Sequence, residues 1–518
     1  MNKKYISLLL LPTLLTGCHG GIELKHVPYS SWLEEQDLMK EETQGIAYKN
    51  GTINSLSDFL SDFRSGNKRE TMPTKGDRKL LVVPISFTDS KKEDQNDKII
   101  FLQNAFFGAN DHTNYYSVAG YYNASSYGQL RITGEVAPWF NLDMSSSEIS
   151  NMSASYMSKS SMVVNMALDY YKANNLVKNL ASYDTDNDED IDGIYAIYDH
   201  PSNEDNTKGD PLFWAYTHYT YKGEDGLNNT APYVNGYSWT SINAVAQDDN
   251  RSYTNYLIHE TGHLLGLTDY YNIKYTGLDN DYHYQPTGCF DVMDYNIGDH
   301  SSFSKYLFKW TSPKVVDDSL VGTIKLKPFT TSGEYLLIPS EQYKSLKNPF
   351  SEYLLIEYFA PIGVNKFSGA YSYTDANGKS GVYKYPQFYG LKIWHVNASL
   401  GYFENGKNGN LICRLDDPDW QTKISSIGVG LDYAYNNSLS DNEAKNGKQV
   451  LIHLLEASGK NTFLNGVPAN NDTLFRSGDD FGKTKFTDFK FSDGNAPEYG
   501  IKVKSLSTRD ITIEIIKK

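Results

Sequence analysis

The sequence predicts an α+β domain followed by a β-rich, sandwich-like region, and three patterns carry that prediction. The stretch KLLVVPISFTD at 79–89 is a continuous apolar run rich in β-formers, as expected of a buried strand that opens a folded domain. In SMVVNMALDYY at 161–171, Val163, Met166, Ala167 and Tyr170 recur at helical spacing, which predicts a helix with that stripe turned to the core. From about residue 316 to 518 the pattern changes to short alternating segments such as GTIKLK, EYLLIEY, GLKIWHV and DITIEII, separated by Gly, Asn, Asp and Ser turns. That is the signature of an all-β region. A chain of 518 residues exceeds one compact core, so a mixed domain over 77–315 and a β-rich accessory region over 316–518 are expected.

The formal net charge of -15 argues against nucleic acid as a partner. An acidic surface repels phosphate backbones and anionic head groups, and no Lys or Arg cluster able to track them stands out. The N-terminus reads MNKKYISLLLLPTLLTGC, with two lysines, an apolar run from Tyr5 to Leu15, and then Thr16-Gly17-Cys18. The run is too short to span a bilayer and is read as an export signal over 1–17. Small residues before a cysteine look like the lipobox of bacterial lipoproteins. That implies cleavage before Cys18, lipid modification of its side chain, and a protein exported to the bacterial cell surface and anchored in the membrane. Residues 18–76 are polar and linker-like, an N-terminal tether or pro-segment with a helix around SLSDFLSDF. Cys289 and Cys413 are far apart in sequence and are expected to be free thiols.

The segment NYLIHETGHLLGLTDYY at 255–271 places chemistry inside an apolar helix. His259 and His263 are four positions apart, so both imidazoles leave one face and can hold a single metal ion. Glu260 lies about 100° around the helix, beside that ion. There it can act as general base toward a zinc-bound water. Leu257, Ile258, Leu264 and Leu265 seat the helix in a core. Gly266 lets the chain leave the helix with positive φ and turn Asp269 back toward the metal. A carboxylate there completes three protein ligands and leaves a fourth position open, as catalytic zinc requires. His283 and His300 compete for the third place and rank below Asp269, because neither has the glycine-set spacing. Downstream, GCFDVMDYN at 288–296 fits a turn beneath the metal. Met293 would pack its thioether under the histidines, and Tyr295 would hydrogen-bond a developing oxyanion.

Taken in order, these stations resemble the immune inhibitor A type zinc metallopeptidases of bacteria. The resemblance spans roughly 79–480 and includes LLVVPISFTD, GYYNASSYGQLRITGEV, the acidic stretch near 190, HETGHLLGLTDYY, DVMD, SSFSKYLFKW, SEYLLIEY and GLKIWHVN. It implies a zincin-like catalytic domain, with His259 and His263 as zinc ligands, Glu260 as general base and Asp269 as third ligand. Two positions depart from the family pattern. The glycine usual before the closing tryptophan, Trp310, is Lys309 here, and an Asp-Tyr pair stands in the methionine turn where small residues are common.

In DTDNDEDIDGIYAIYD at 184–199, Asp188, Asp190 and Asp192 with Gly193 match the start of a calcium loop, and Asp199 falls at its closing position. IYAIYD reads as a strand, so a loop-and-strand Ca2+ site is expected, with a solvated acidic turn as the alternative; the resemblance also implies calcium in the catalytic domain. The function predicted is a surface-anchored zinc endopeptidase, a hydrolase of extracellular proteins or peptides. Two other readings compete with it. One is a lipoprotein that binds a ligand through an inactive peptidase-like scaffold, which the intact Glu260 disfavours. The other is a zinc hydrolase of glycan or ester bonds, which the motif permits without favouring.

Overall fold

Strand β1 (Gly76–Ser86) is the axis of the first half. Leu80 and Val82 face one core, while Leu81, Val83 and Ile85 face another. Parallel neighbours β2 (Leu130–Val136) and β4 (Ile194–Tyr198) flank it. With both faces covered, the strand needs no polar alternation, which explains the unbroken apolar run. The short β3 (Phe140–Asn141) also pairs with β1. Beyond β4 come β6 (Gly236–Ser241), parallel, and β5 (Tyr216–Tyr219), antiparallel, so the sheet order is β2-β1-β4-β6-β5.

The computed structural model describes residues 72–518 apart from 110–112, 114, 202–209, 246–253, 273–283, 295, 367, 369, 375–379, 385–387, 405–409, 418, 420–421 and 424–428, together with Ile53, Leu56 and Phe59. The export signal, Cys18, most of the 18–76 segment, His283 and Tyr295 therefore lie outside the described residues, and of the expected helix around SLSDFLSDF only Leu56 and Phe59 are described, both helical. Ile53, Leu56 and Phe59 are buried in the main core, where the Phe59 ring lies 5.4 Å from Phe350 and 5.0 Å from Tyr433.

Helices α1 (Gln95–Phe107), α2 (Val118–Ser125) and α5 (Asn255–Leu264) cover one face of the first sheet. The short α3 (Ser146–Ser150) and the long α4 (Tyr156–Asn174) lie with the opposite core. Ser155 caps α4 by accepting from Ser158 N–H, and Asn175 ends it in a left-handed conformation. The buried stripe of α4 is Val163, Val164, Ala167, Leu168 and Tyr171, whereas Met166 is only half-buried and Tyr170 is 45 % exposed. The expected stripe is therefore displaced by about one position. Val163 and Ala167 fit either set at a period near 3.6, and contact with the sheet selects the neighbours.

The second half contributes β7 (Lys314–Val315), β8 (Gly322–Leu326), β9 (Tyr335–Pro339), β10 (Glu352–Phe359), β11 (Ala370–Thr374), β12 (Ser380–Lys384) and β13 (Gly390–Asn397). It continues with β14 (Leu400–Glu404), β15 (Leu411–Arg414), β16 (Val429–Tyr433), β17 (Ile452–Leu455), β18 (Asp480–Phe481), β19 (Tyr499–Leu506) and β20 (Ile511–Lys517). A five-stranded sheet, β17-β13-β10-β9-β7, turns Leu336, Ile338, Leu354, Ile356 and Ile393 toward Ile501, Val503, Ile511, Ile513 and Ile515 of the four-stranded sheet β18-β19-β20-β8. Its other face, with Leu337, Tyr353, Leu355, Trp394 and Val396, joins the core beneath α5. One apolar cluster thus runs through both halves of the chain.

Polar contacts cross the same junction. α6 (Ser302–Leu307) receives Glu357 of β10 at its first N–H, with Ser302 N donating to Glu357 Oε2 at 2.9 Å. Lys392 Nζ lies 3.4 Å from Glu357 Oε1, and both side chains are almost wholly buried. Cys289 and Cys413 are not joined in a disulfide. Among the described residues no helix is long and apolar enough to cross a membrane.

The departure at Lys309 has a backbone cost. Lys309 ends α6 with φ at 58°, and Trp310 N donates to Lys305 O at 3.0 Å, the closure of a helix end that suits glycine. Its side chain is exposed, so little packing offsets the strain. Lys309→Gly is expected to stabilise the protein by about 1 kcal/mol, read as a higher denaturation midpoint at unchanged m-value.

Candidate metal centre

Helix α5 is fixed to the first sheet by hydroxyls as well as by its apolar face. Tyr122 of α2 donates to Ile258 O at 2.7 Å, and Tyr195 of β4 donates to Leu257 O. Tyr195 also lies 2.9 Å from Thr261 Oγ1. Leu257, Ile258, Leu264 and Leu265 are buried, so the helix can present a polar edge without leaving its seat.

On that edge each histidine is oriented through Nδ1. His259 Nδ1 lies 2.8 Å from Val292 O, and His263 Nδ1 lies 2.8 Å from Leu267 O. A carbonyl only accepts, so each Nδ1 carries a proton and Nε2 is the nitrogen turned outward, bare whenever the ring is neutral. Both Nε2 atoms lie 3.1 Å from one atom, Asp269 Oδ1. Gly266, with φ at 100°, ends the helix and reverses the chain so that Asp269 returns to this point.

The donor set fits a metal ion. Two imidazole lone pairs and a carboxylate oxygen converge, an arrangement that repels itself unless a cation sits among the three atoms. Burial opposes charge on His263, but Asp269 overcomes it and raises the imidazole to about 9. Burial would likewise raise Asp269, yet the two histidines hold its carboxyl far below the usual range. The Asp269 side chain is 27 % exposed and that of His263 16 %, against 5 % for His259. The site therefore opens to solvent on the Asp269 side.

Glu260 is buried, and its carboxylate lies in one group with ligand atoms of His259 and His263, all within 4.8 Å of one another. Thr217 Oγ1 of β5 donates to Glu260 Oε2 at 3.2 Å. Met293 is fully buried beneath α5, where a Cβ added at Gly262 would collide with its thioether. Tyr295 and His283 are outside the described residues. His300 is enclosed by Tyr121, Tyr122, Phe308 and Trp310, neither ring nitrogen has a hydrogen-bond partner among the described residues, and burial pushes its pKa well below the ordinary value. Thr217, Tyr122 and Tyr195 were not foreseen. Each acts across the fold, and nothing in its local sequence marks it.

The acidic turn is arranged differently from the expectation. Asp188 groups with Asp184 and Asp186 instead of Asp190 and Asp192. Positive φ at Asn187 and Glu189 curls the turn back, and Asp184 accepts from the N–H groups of Asp188 and Glu189. Asp192 turns inward to Thr185, whose N–H donates to it at 2.9 Å, and burial pushes its carboxyl up to about 6. Asp190 instead forms a backbone bridge with Tyr233. Asp199 pairs with Lys98 at 2.8 Å.

Gly262 tests the packing under the metal edge. Alanine in a helix interior is ordinarily favoured over glycine by about 1 kcal/mol. Here the clash with buried Met293 should reverse that sign, so Gly262→Ala is expected to destabilise by about 1–3 kcal/mol in chemical denaturation. Combining it with Met293→Ala should recover part of that loss in a double-mutant cycle.

No curated protein matches the chain. Residues 85–294 match the family described as immune inhibitor A peptidase M6, catalytic domain, and the segment that carries the histidine helix is thereby recognised as a metallopeptidase of that family.

Proposed function

We propose that the chain is a zinc endopeptidase of zincin-like fold, exported and lipid-anchored through Cys18 at the bacterial cell surface, that hydrolyses extracellular proteins or peptides. The observation that supports this most is the convergence of His259 Nε2, His263 Nε2 and Asp269 Oδ1 on one solvent-reaching point, with Glu260 beside it. Two nitrogens and one oxygen with a fourth direction open match a catalytic zinc set.

Zinc held there would supply Lewis acidity and acidify water at neutral pH. Glu260, steadied by Thr217, takes the proton of the attacking water and passes it to the leaving amine. β5 ends the strand order of the first sheet among the described residues. An extended peptide laid along that edge by backbone hydrogen bonds would run past Glu260. Tyr295 is the proposed donor to the developing oxyanion, and the acidic turn at 184–192 the proposed seat of Ca2+.

Casein hydrolysis by the purified protein tests the reading. Glu260→Gln is expected to lower kcat by about 100- to 10,000-fold while retaining zinc, and a chelator should abolish wild-type activity until zinc is restored. Equal turnover by the two proteins would reject the mechanism, and no turnover by either, with zinc bound, would favour a binding lipoprotein. For the third ligand, metal analysis should find zinc lost from Asp269→Ala and kept in His283→Ala.

A further inference from the structure

The loop that returns Asp269 to the histidines is held by the β-rich half of the chain. Asn437 Nδ2 donates to Tyr270 O, the carbonyl directly after Asp269, at 2.7 Å, and also to Ile452 O of β17 at 3.0 Å. Its Oδ1 accepts from Ile452 N at 3.1 Å. Two residues further along the loop, Asn272 Nδ2 donates to Leu439 O at 2.8 Å and Asn272 Oδ1 accepts from Leu439 N at 3.1 Å. Both asparagines are 2 % exposed. The Asn437–Tyr270 and Asn272–Leu439 bonds each span 167 residues of sequence.

The chemistry of the amide explains the residue type. Asn437 must donate twice and accept once to hold the loop and β17 together, and a carboxylate or an aliphatic side chain cannot do so. The other side of the loop rests on the methionine turn, with Tyr270 N donating to Met293 O at 2.8 Å. Asp269 therefore sits between the flexible Gly266 and a residue clamped on both its N–H and its carbonyl. Without that clamp, Tyr270 O would be buried and unpaired, and the carboxylate would lose the register that a ligand needs within about 0.5 Å.

We infer that Asn437 and Asn272 are positioning residues for the Asp269 carboxylate, which makes the β-rich half part of the metal centre. The inference rests on the metallopeptidase reading above. The test uses the full chain and three readouts: zinc affinity by competition with a chelator, the visible d–d absorption of the cobalt(II)-loaded protein, and the thermal midpoint of the metal-free protein. Asn437→Ala and Asn272→Ala are expected to weaken zinc binding by about 10- to 100-fold and to shift the cobalt band. Asp480→Ala is the structural control. It loses bonds from Lys483 N at 3.0 Å and Thr484 N at 2.6 Å in the outer sheet, and should lower the midpoint while leaving zinc affinity and the cobalt spectrum unchanged. If Asn437→Ala does not fold, Asn437→Asp, which keeps the acceptor and loses both donors, is read in the same way. Wild-type zinc affinity with an unshifted cobalt band in the asparagine variants would overturn the inference and leave the metal centre standing. Failure of the unmutated protein to take up either metal would overturn the metallopeptidase reading, and this inference with it.

Discussion

Three lone-pair atoms face one another at the edge of α5, two imidazole nitrogens each 3.1 Å from the same carboxylate oxygen. Left to themselves they repel, and only positive charge among them relieves the arrangement. Burial works against charge on His263, yet the neighbouring Asp269 carboxylate still lifts it to about 9, a measure of how strongly the site favours positive charge. A divalent cation supplies it, because it binds all three atoms at once. Much of the surrounding architecture keeps these atoms from rotating away from one another.

The restraint begins with the proton on each Nδ1. Val292 O and Leu267 O accept from the two rings, so the tautomer and the ring plane are fixed together. Val292 belongs to the methionine turn and Leu267 to the reversal after Gly266, so each ring is oriented by a segment outside its own helix. The turn in turn holds Tyr270 N through Met293 O. The helix, the reversal and the turn are thus mutually restrained, and buried Glu357, accepting from Ser302 N, attaches α6, just beyond the turn, to the second half of the chain, while Lys392 on the neighbouring strand balances its charge. A buried ion pair of this kind adds little net stability. Its consequence here is that the Glu357 carboxylate stays charge-balanced and available to the first N–H of α6.

What the sequence disclosed follows from range. The spacing of His259, Glu260, His263, Gly266 and Asp269 is a local property of one helix and its exit, and the atoms converge as helical geometry requires. The apolar run of β1 and the alternating segments GTIKLK, EYLLIEY, GLKIWHV and DITIEII are likewise local, and all became strands. The restraints on the site were not legible. Thr217, Tyr122, Tyr195 and Asn437 are ordinary residues in their own segments, and they acquire a role only when the sheet order and the packing of the halves are known. The grouping of carboxylates in the acidic turn was not legible for a related reason. Alternating carboxylates at 188, 190 and 192 suggest one cluster, but the left-handed residues Asn187 and Glu189 fold the turn so that Asp184, Asp186 and Asp188 meet.

The position of Glu260 shows how the same sheet ties the base to the substrate in the proposed reaction. Its carboxylate is buried and receives the Thr217 hydroxyl from β5, the strand at the edge of the first sheet. An extended peptide paired with that edge would take its register from the backbone of β5, and the base takes its orientation from a side chain of the same strand. The distance from base to scissile bond would then be set by two elements joined directly through Thr217 and not across a flexible gap. Since the reaching group and the group it reaches must be closely aligned, this coupling gives a reason for a threonine at 217 on the strand that ends the sheet.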